Sequence, residues 1–350
     1  MSPPTTTKHY VVSKIGSLDN LTLKESSIRP LKTNEVLVRV QAVSLNYRDV
    51  LVAKGLYGGP DLIIQEDLVP CSDYSGEIAL VGEDAQGKWK LGDRVCCNFA
   101  QMHVDEYDAL EPNASVKTMS GGPVQGVLSQ YVICPAEGLE LIPDHLSFEE
   151  AATLPGAALT AYNALLGPNP VKAGDHVLIQ GTGGVSIFGL QIAVASGATV
   201  IATSSSDEKL KVASKLGAKH LINYKTTPDW EKVVKEITNG RGVDHVIEVG
   251  GLGTLLKSLQ SVKQSGWVHL VGFLAQGGDA NLVYPIILRA AQLRGILFGS
   301  VEQFKGLIRL LKAHDLHPVI DKVFPFDQAL QAFRHLESQA HIGKVVIKVE

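Results

Sequence analysis

The feature that most constrains the fold is the stretch LIQGTGGVSIFGLQIA, in which an apolar run meets a glycine-rich turn and a second apolar run follows. In the pattern G-x-G-x-x-G, the first glycine makes a tight turn, the second lets the backbone approach a pyrophosphate, and the third lets a helix pack closely on a strand. Gly181 and Gly183 hold the first two places, Gly184 adds backbone freedom, and Ser186 holds the third. Because serine is among the smallest alternatives to glycine, we expect the loop to bind a dinucleotide.

A strand, turn and helix without a ligand would show the same motif, so the flanking sequence decides between the two interpretations. Beyond residue 150, β-like runs alternate with helical segments of crossover length. Such alternation predicts a parallel sheet covered by helices, and this context favours the dinucleotide site. The predicted strands are residues 176–180, 199–204, 220–224, 243–250 and 267–273.

The sequence before residue 150 has a different character, with short β-rich runs bounded by glycine. Residues 35–43 alternate between apolar and other side chains, and residues 76–82 and 92–99 are further candidate strands. These runs predict a mostly antiparallel β domain.

The junction between the two regions lies in SFEEAATLPGAALTAYNALL. This segment opens with a capping box from Ser147 to Glu150 and contains Pro155, which predicts a helix pair or a kinked helix. The strand KVVIKV near the end of the chain is expected to add to the first domain. The predicted domains are a β-rich domain at 1–150, a dinucleotide domain at 151–300 and a returning C-terminal segment at 301–350.

Composition argues against several partners and locations. The 350 residues carry a formal net charge of -4 and form no Lys/Arg cluster, which argues against a nucleic-acid partner. The first residues lack the segments of a signal peptide, and no apolar run reaches the roughly 18 residues of a membrane span, so we expect a cytoplasmic protein without membrane contact. Cys71, Cys96, Cys97 and Cys134 show no metal-binding spacing and are predicted to be buried free thiols.

The end of the second strand of the dinucleotide domain, ATSSSDEK, indicates which dinucleotide binds. A carboxylate at this place would hold the ribose 2′-hydroxyl of NAD. Hydroxyl side chains occupy 203–206 instead, Asp207 comes late, and Lys209 follows in the next turn. Hydroxyl donors and a cation suit a 2′-phosphate, because charge-assisted hydrogen bonds to it are worth about 1.5 to 3 kcal/mol each. The sequence therefore favours NADP(H), and a helix cap in the same segment is compatible with that prediction.

The segments GDRV, LIQGTGGVS, TSSSDEKL, LGAKHLINY and VDHVIEVGG, in this order, make the chain resemble the medium-chain dehydrogenase/reductase superfamily from about Val36 to Val349. Within it, the chain resembles the zinc-independent quinone oxidoreductase branch. The resemblance implies an α/β fold with a Rossmann doubly wound parallel sheet, a GroES-like mostly β catalytic domain, and an active site in the cleft between them. It also implies that Lys209 and Tyr224 meet the 2′-phosphate of NADP.

The chain departs from the zinc-dependent relatives at each metal ligand. The resemblance places those ligands in segments that read SLNYRD, CSDYSG and TLPGAAL here. Asn46, Ser72 and Pro155 or Gly156 cannot rebuild a catalytic zinc site, which requires three N, S or O ligands and an open position. We therefore predict no metal, and we expect Asp73 to form hydrogen bonds inside the β domain.

Without a metal to polarise a carbonyl, a substrate that delocalises its own charge is easier to reduce. Hydride addition to an enone or a quinone gives an enolate that a few hydrogen-bond donors can support. Resemblance to enoyl-thioester reductases makes Tyr57 the first candidate for proton donor or oxyanion support, with Asn46 helping to place substrate or nicotinamide. A packing role alone would also explain Tyr57. Tyr47, Arg48 and Asp49 are weaker candidates, because an Arg–Asp pair is usually structural.

The resemblance also implies where the nicotinamide lies, namely near residue 160, at 249–250, at 272–273 and on a predicted strand at 296–300. The apolar run NLVYPIILRAAQLRGILFG resembles the edge through which many relatives dimerise, so we expect a homodimer, although a buried helix would have a similar sequence. The predicted cofactor-binding residues are Thr160, Gly181, Gly183, Gly184, Val185, Ser204, Ser205, Lys209, Tyr224, Val249, Gly250, Gly272, Phe273, Leu297 and Phe298.

These observations indicate an NADPH-dependent reductase of a small electrophilic substrate with an activated double bond or a quinone. Two alternatives stay open from the sequence alone. One is a metal-free NADP-dependent alcohol dehydrogenase or carbonyl reductase. The other is a cofactor-binding protein with a structural or regulatory role, because a fold does not guarantee turnover.

Overall fold

The computed structural model describes residues 4–58, 64–100, 114–273 and 281–350. The chain divides into two compact units, which we call the β unit (1–159 with 299–350) and the parallel-sheet unit (160–298). In chain order the strands and helices are β1 (Thr6–Val12), β2 (Leu21–Ser27), β3 (Glu35–Leu45), α1 (Tyr47–Ala53), β4 (Asp73–Val81), β5 (Arg94–Cys97), α2 (Ala114–Lys117), β6 (Tyr131–Pro135), β7 (Leu139–Leu141), α3 (Phe148–Ala151), α4 (Leu159–Leu166), β8 (His176–Gln180), α5 (Gly184–Ala195), β9 (Thr199–Ser204), α6 (Asp207–Lys215), β10 (His220–Asn223), α7 (Trp230–Ile237), β11 (Val243–Glu248), α8 (Leu255–Ser261), β12 (Val262–Leu270), α9 (Val283–Arg289), β13 (Gln292–Gly295), α10 (Val301–His314), β14 (Ile320–Pro325), α11 (Ala329–Glu337) and β15 (Lys344–Lys348).

The β unit contains, within the described residues, a two-stranded sheet of β1 and β2 and a seven-stranded sheet. The larger sheet has the order β14, β15, β3, β4, β5 and β7, and β6 also pairs with β3. Its neighbouring strands are antiparallel, except that β14 and β15 are parallel. The prediction of a mostly antiparallel β domain is confirmed. Strand β15, read in the sequence as KVVIKV, lies between β14 and β3, so the end of the chain completes the first domain.

The junction segment forms the predicted helix pair. At the start of α3, the Glu150 backbone N–H donates to Ser147 Oγ over 3.1 Å, and the Ser147 N–H donates to the Glu150 carboxylate over 2.8 Å. Pro155 begins a short helical turn that separates α3 from α4. Ser75 Oγ donates to the Phe148 carbonyl over 2.6 Å and so ties α3 to β4. The β unit therefore extends to residue 159, whereas the sequence pattern places the boundary at 150.

The parallel-sheet unit has, in the described part of the chain, six parallel strands in the order β10, β9, β8, β11, β12 and β13. Counted along the chain this is the order 3-2-1-4-5-6, which is the doubly wound order of the Rossmann fold. The predicted fold class is confirmed, and the predicted strands overlap β8 to β12. Strand β12 begins five residues and ends three residues earlier than predicted, and β10 and β11 end one and two residues earlier. Because the strands are parallel, their carboxyl ends meet at one edge of the sheet, and that edge positions the candidate site.

The predicted strand at 296–300 is wrong. The edge strand is β13, which pairs with β12 over Gln292–Gly295, and residues 296–300 form no regular element. The Ile296 N–H still donates to the Leu270 carbonyl over 2.9 Å, but the chain then leaves the sheet. There the Phe298 carbonyl accepts a hydrogen bond from the Asn163 side chain of α4, which replaces a ladder partner.

Two further expectations concern membranes and thiols. Within the described ranges, no helix combines the length and the hydropathy needed to cross a membrane. All four cysteines are buried free thiols, as predicted. One of them packs in the β core, where the Tyr74 hydroxyl donates to Cys134 Sγ over 3.1 Å.

A buried histidine pair lies on adjacent strands of the parallel sheet. His245 Nδ1 and His269 Nε2 are 3.1 Å apart, and their rings stack with centroids 5.4 Å apart. Both side chains are 1% exposed. Burial lowers the pKa of His269 from 6.5 to about 3 and also lowers the pKa of His245. The folded protein therefore keeps this pair neutral where an unfolded chain would take up protons.

The histidine pair predicts a loss of stability in mild acid. A base whose pKa is lowered by folding contributes stability above its unfolded pKa, and this is lost as the pH falls from about 6.5 toward 3, by up to about 1.4 kcal/mol per pH unit. Between pH 7.5 and pH 5.5, we expect urea unfolding of the parent to lose about 1 kcal/mol more than that of His269→Gln. The exposed His314→Gln is the matched control. A parent and a His269→Gln variant with equal pH dependence would contradict the assignment.

Candidate functional site

The glycine-rich loop joins β8 to α5 at the carboxyl edge of the parallel sheet. Gly181 has a φ of +71°, a left-handed conformation that favours glycine, and its N–H donates to the Thr203 carbonyl of β9 over 2.8 Å. A Cβ built on Gly183 would meet no atom within 4 Å. The backbone is thus open to an approaching group directly before α5 begins at Gly184.

The role of the third glycine is divided between two residues. Ser186 is 3% exposed, and its Oγ donates to the Gln180 carbonyl over 2.7 Å, so the serine closes the turn internally. Close packing occurs one turn later, because a Cβ on Gly189 would lie 3.3 Å from Ile179 and 3.5 Å from Ile247. The serine at the packing position is therefore compatible with the tight turn and with helix–sheet contact.

The start of α5 suits a pyrophosphate. The first N–H groups of a helix have no intrahelical acceptor and carry the positive end of the helix dipole, which together favour an anion. Gly184 and Val185 supply N–H groups of this first turn. Together with the open face at Gly183, these residues fit a dinucleotide.

The predicted 2′-phosphate residues meet where β9 and β10 end side by side. The Tyr224 N–H donates to the Ser204 carbonyl over 3.0 Å, and the Tyr224 side chain is 42% exposed. Asp207, the first acid after β9, accepts a hydrogen bond from Asn223 Nδ2 over 2.7 Å. Lys209 lies in the first turn of α6, two residues after this acid. Hydroxyl groups, an exposed phenol and a lysine thus share this corner of the sheet.

Glu248, at the end of β11, is fully buried and organises the centre of the same edge. Its carboxylate accepts hydrogen bonds from neutral groups of three different segments. These donors are Gln180 Nε2 (2.8 Å), Ser258 Oγ, Thr254 Oγ1 (2.5 Å), and the backbone N–H groups of Gly250 (2.8 Å) and Gly251 (2.9 Å). The network joins the residue before the glycine-rich loop to the turn after β11 and to helix α8.

The predicted nicotinamide residues after β11 and β12 lie in two loops that touch backbone to backbone. A Cβ on Gly272 would come within 2.2 Å of the Val249 carbonyl oxygen, and one on Gly251 within 2.7 Å of Phe273 Cα. Only glycine permits these approaches. The structure therefore brings Val249, Gly250, Gly272 and Phe273 together, as the resemblance implies.

The remaining predicted residues lie around α4 and the segment after β13. Arg294 donates to the Asn163 carbonyl over 2.9 Å and to Asn163 Oδ1 over 2.6 Å, which ties β13 to α4. Thr160, at the start of that helix, is buried, and Phe298 is bound by Asn163. Leu297 is 51% exposed beside them.

In the β unit, the three segments that carry metal ligands in zinc-dependent relatives do meet in space. A Cβ on Gly156 would lie 2.5 Å from Asp73 Oδ2 and 2.8 Å from Asn46 Nδ2. Asp73 accepts hydrogen bonds from the Gly156 N–H over 2.8 Å and from Ser72 Oγ over 2.7 Å, so it bonds inside the β domain as expected. Lys344 of β15 completes the cluster, and its Nζ donates to Asn46 Oδ1 over 2.6 Å.

This donor set does not fit a catalytic zinc ion. It offers one amide, one hydroxyl, one carboxylate that already accepts two hydrogen bonds and one buried ammonium group, whereas a catalytic zinc site uses three Cys, His, Asp or Glu ligands. The positive charge of Lys344 would also repel a metal ion. Across the described residues, no three His, Cys, Asp or Glu side chains lie together in a way that could hold a metal.

Asp49 and Lys344 are two buried ionisable groups that bond directly to Asn46. Asp49 Oδ2 accepts the Asn46 N–H over 2.8 Å and so begins helix α1. Burial raises the pKa of Asp49 to about 6, and the nearby Arg48 opposes this rise. Burial lowers the pKa of Lys344, while Asp73 and Asp49 oppose the change.

Tyr57, the predicted proton donor, lies in the loop after α1 and is partly exposed. The Arg48 guanidinium carbon is 5.4 Å from the Tyr57 ring centroid and 4.9 Å from that of Phe99. Arg48 also donates to the Ser120 carbonyl over 2.8 Å. Its charge lies 3.8 Å from Asp49, so the Arg–Asp pair is looser than a hydrogen-bonded ion pair. Arg48 thus supports the Tyr57 ring as a packing neighbour.

Two site residues were missed in the sequence, although each left a signal. Lys344 is the charged first residue of the apolar strand KVVIKV, and Glu248 is an acid at the end of the buried strand VDHVIE. A charge in a buried strand requires partners, but the sequence alone does not reveal them.

Two family models and several known proteins match this chain. Residues 32–144 match the alcohol dehydrogenase GroES-like domain family, and residues 184–313 match the zinc-binding dehydrogenase family. A zinc-type alcohol dehydrogenase-like protein of Schizosaccharomyces pombe is 45% identical over 98% of this chain and 99% of its own length. A 2-haloacrylate reductase of a Burkholderia species is 29% identical over 96% and 97%. A probable quinone oxidoreductase of Schizosaccharomyces pombe is 30% identical over 96% and 95%.

Solved structures show the same architecture. A Sinorhizobium meliloti protein assigned as an alcohol dehydrogenase superposes with a TM-score of 0.90 at 36% identity, over 100% of both chains. The CurK enoyl reductase superposes with a TM-score of 0.81 at 27% identity, over 98% of this chain and 99% of its own. The likeness covers both compact units.

Proposed function

Because the chain belongs to the medium-chain dehydrogenase/reductase superfamily, whose members are oxidoreductases that use nicotinamide cofactors, we propose that it is an NADPH-dependent reductase acting without zinc. Its substrate is a small electrophile with an activated carbon–carbon double bond or a quinone. The observation that carries this proposal is the buried ammonium of Lys344 against Asn46 and Asp73, where zinc-dependent relatives have metal ligands.

This donor set does not fit a metal ion, which favours substrates that delocalise the negative charge developed on hydride transfer. A plain ketone concentrates the developing negative charge on one oxygen, which a metal would normally stabilise. An enone or quinone delocalises that charge, so preorganised hydrogen-bond donors suffice, each worth about 10²- to 10³-fold when well placed. Asn46 and Tyr57 supply such donors in the β unit. The names of the 2-haloacrylate reductase and the enoyl reductase agree with this substrate class.

The chain's own residues bind the cofactor, orient the substrate and supply a proton. The N–H groups at 183–185 bind the pyrophosphate, and the loops after β11 and β12 hold the nicotinamide. When bound, the cofactor supplies the hydride. The Asn46 amide donates a hydrogen bond to the substrate oxygen, and the Tyr57 hydroxyl delivers the proton to the resulting enolate. Thr160, Leu297 and Phe298 enclose the nicotinamide end.

The choice of NADPH rests on the corner formed by β9 and β10. Ser204 and Ser205 offer hydroxyl groups at the end of β9, and Tyr224 and Lys209 follow on the neighbouring elements. Asp207, the first acid after β9, accepts a hydrogen bond from Asn223. A phosphate with two charges suits these groups better than a ribose hydroxyl.

The function is tested by a substrate panel with metal-depleted protein. We expect NADPH oxidation with cyclohex-2-enone and benzoquinone that survives dialysis against a chelator, and at least tenfold lower kcat/KM with hexanal. Tyr57→Phe is expected to lower kcat on the enone about 10²-fold, because it removes the proton donor. Activity confined to aldehydes and alcohols, or lost with the chelator, would favour the alcohol dehydrogenase activity suggested by the name of the 45% identical relative. Tight NADPH binding without any turnover would favour the non-catalytic role.

Lys209 tests the cofactor assignment separately. We expect Lys209→Ala to weaken NADPH binding by about 1 to 3 kcal/mol, or roughly 5- to 150-fold, and to leave NADH binding nearly unchanged. Fluorescence titration of both cofactors measures the two affinities. Lys211→Ala, two residues later on α6 and paired with Glu208, is the matched control. Equal losses for both cofactors would contradict the 2′-phosphate role.

We further propose that the protein is a homodimer formed through α9 and the edge strand β13. Helix α9 exposes four apolar side chains, which is unusual for a surface helix beside a sheet edge. They are Val283 (63%), Tyr284 (66%), Ile287 (69%) and Leu288 (56%). Sedimentation velocity is expected to show a dimer for the parent and a monomer for Tyr284→Glu with Ile287→Glu. A monomeric parent would refute the proposal.

A further inference from the structure

Lys344 controls the orientation of one side chain in the β unit. The lysine is 3% exposed, and its Nζ donates to the Leu45 carbonyl and to Asn46 Oδ1, each over 2.6 Å. An ammonium group can only donate hydrogen bonds. Its hydrogen bond to Asn46 therefore requires the amide oxygen to face it. The ammonium therefore determines which end of the Asn46 amide faces away from β15.

The opposite end of this amide has unused donors. Asn46 Nδ2 is shielded from solvent and has no hydrogen-bond partner within the described parts of the chain. An unpaired buried donor costs about 1 to 3 kcal/mol. An unpaired donor of this kind is explained when a bound group accepts a hydrogen bond from it.

The neighbours of Nδ2 do not satisfy it. Asp73 is close, but its two oxygens accept from Ser72 Oγ and from the Gly156 N–H. Gly156 carries no side chain, and a Cβ there would lie 2.8 Å from Nδ2. Glycine at this position thus places no side chain against the donor end of the amide.

We propose that Lys344 is a positioning residue that holds the Asn46 amide so that Nδ2 donates to the carbonyl oxygen of the substrate. This inference rests on the proposed function and adds a residue, a specific atom and a recognised group to it. The ligand chemistry is a neutral carbonyl conjugated to the reacting bond. The ammonium also polarises the amide and strengthens its N–H donor.

A double-mutant cycle tests whether Lys344 acts through Asn46. We expect Asn46→Ala to lower kcat/KM for cyclohex-2-enone about 10²-fold, the usual effect of losing one oxyanion donor. Lys344→Met is expected to lower it at least tenfold in the parent and less than twofold in the Asn46→Ala background. Lys344→Arg should retain most activity. Lys348→Met, on the same strand with a 55% exposed side chain, is the control that stays near the parent.

The cycle separates positioning from stability alone. Losses that multiply in the double variant, or no loss in Lys344→Met, would overturn the inference. Because Lys344→Met removes a buried charge and can fail to fold, Asn46→Asp provides a second measurement. It keeps an oxygen facing the ammonium but removes the Nδ2 donor, so we expect the same loss as for Asn46→Ala. Full activity of Asn46→Asp would also overturn the inference.

A measurement without turnover distinguishes failure of this inference from failure of the proposed function. In protein labelled with ¹⁵N-asparagine and saturated with NADP⁺, cyclohexanone is expected to shift the Asn46 side-chain amide resonance. Lys344→Arg should preserve this shift, and Asn46→Asp identifies the resonance by removing it. An unshifted resonance in the parent would overturn the inference even if enones are reduced. A shifted resonance in a protein that reduces no enone or quinone would support carbonyl binding and refute the proposed function.

Discussion

A fully buried carboxylate must accept hydrogen bonds from its neighbours. Glu248 is such a group, and it lies at the carboxyl edge of the parallel sheet. Its donors come from Gln180, from the turn after β11 and from α8. Loss of any one of them would leave part of the charge unpaired, at a cost of about 1 to 3 kcal/mol. The segments to which we assign the pyrophosphate and the nicotinamide are thus fixed relative to each other by one charge rather than by packing alone.

The sequence predicts the architecture well because the relevant signals are local. Apolar periodicity located β8 to β11, and the capping box at Ser147 located the start of α3. The strand at 296–300 was mispredicted because an apolar run does not reveal where backbone pairing ends. The sequence also indicates the glycine-rich loop. It does not show that Ser186 closes the turn while Gly189 allows close packing, because these roles depend on tertiary contacts with Gln180 and with two strands.

The cluster around Asn46 shows what local signals cannot provide. Lys344 is almost 300 residues from Asn46 in the chain, and only the insertion of β15 beside β3 brings them together. The sequence indicates that metal ligands are missing, but not that a cation from the far end of the chain lies there. The donors that this chain presents there are an amide, a bound carboxylate and an ammonium group.

The position of β15 also bears on how the protein is made. The parallel-sheet unit is one continuous stretch, so it can fold on the ribosome while the rest of the chain is still being synthesised. The β unit cannot complete its sheet at that stage, because β15, which lies between β14 and β3, follows the parallel-sheet unit in the chain. Until β15 is synthesised, residues 42–45 of β3 lack their strand partner and Asn46 lacks the cation that faces it.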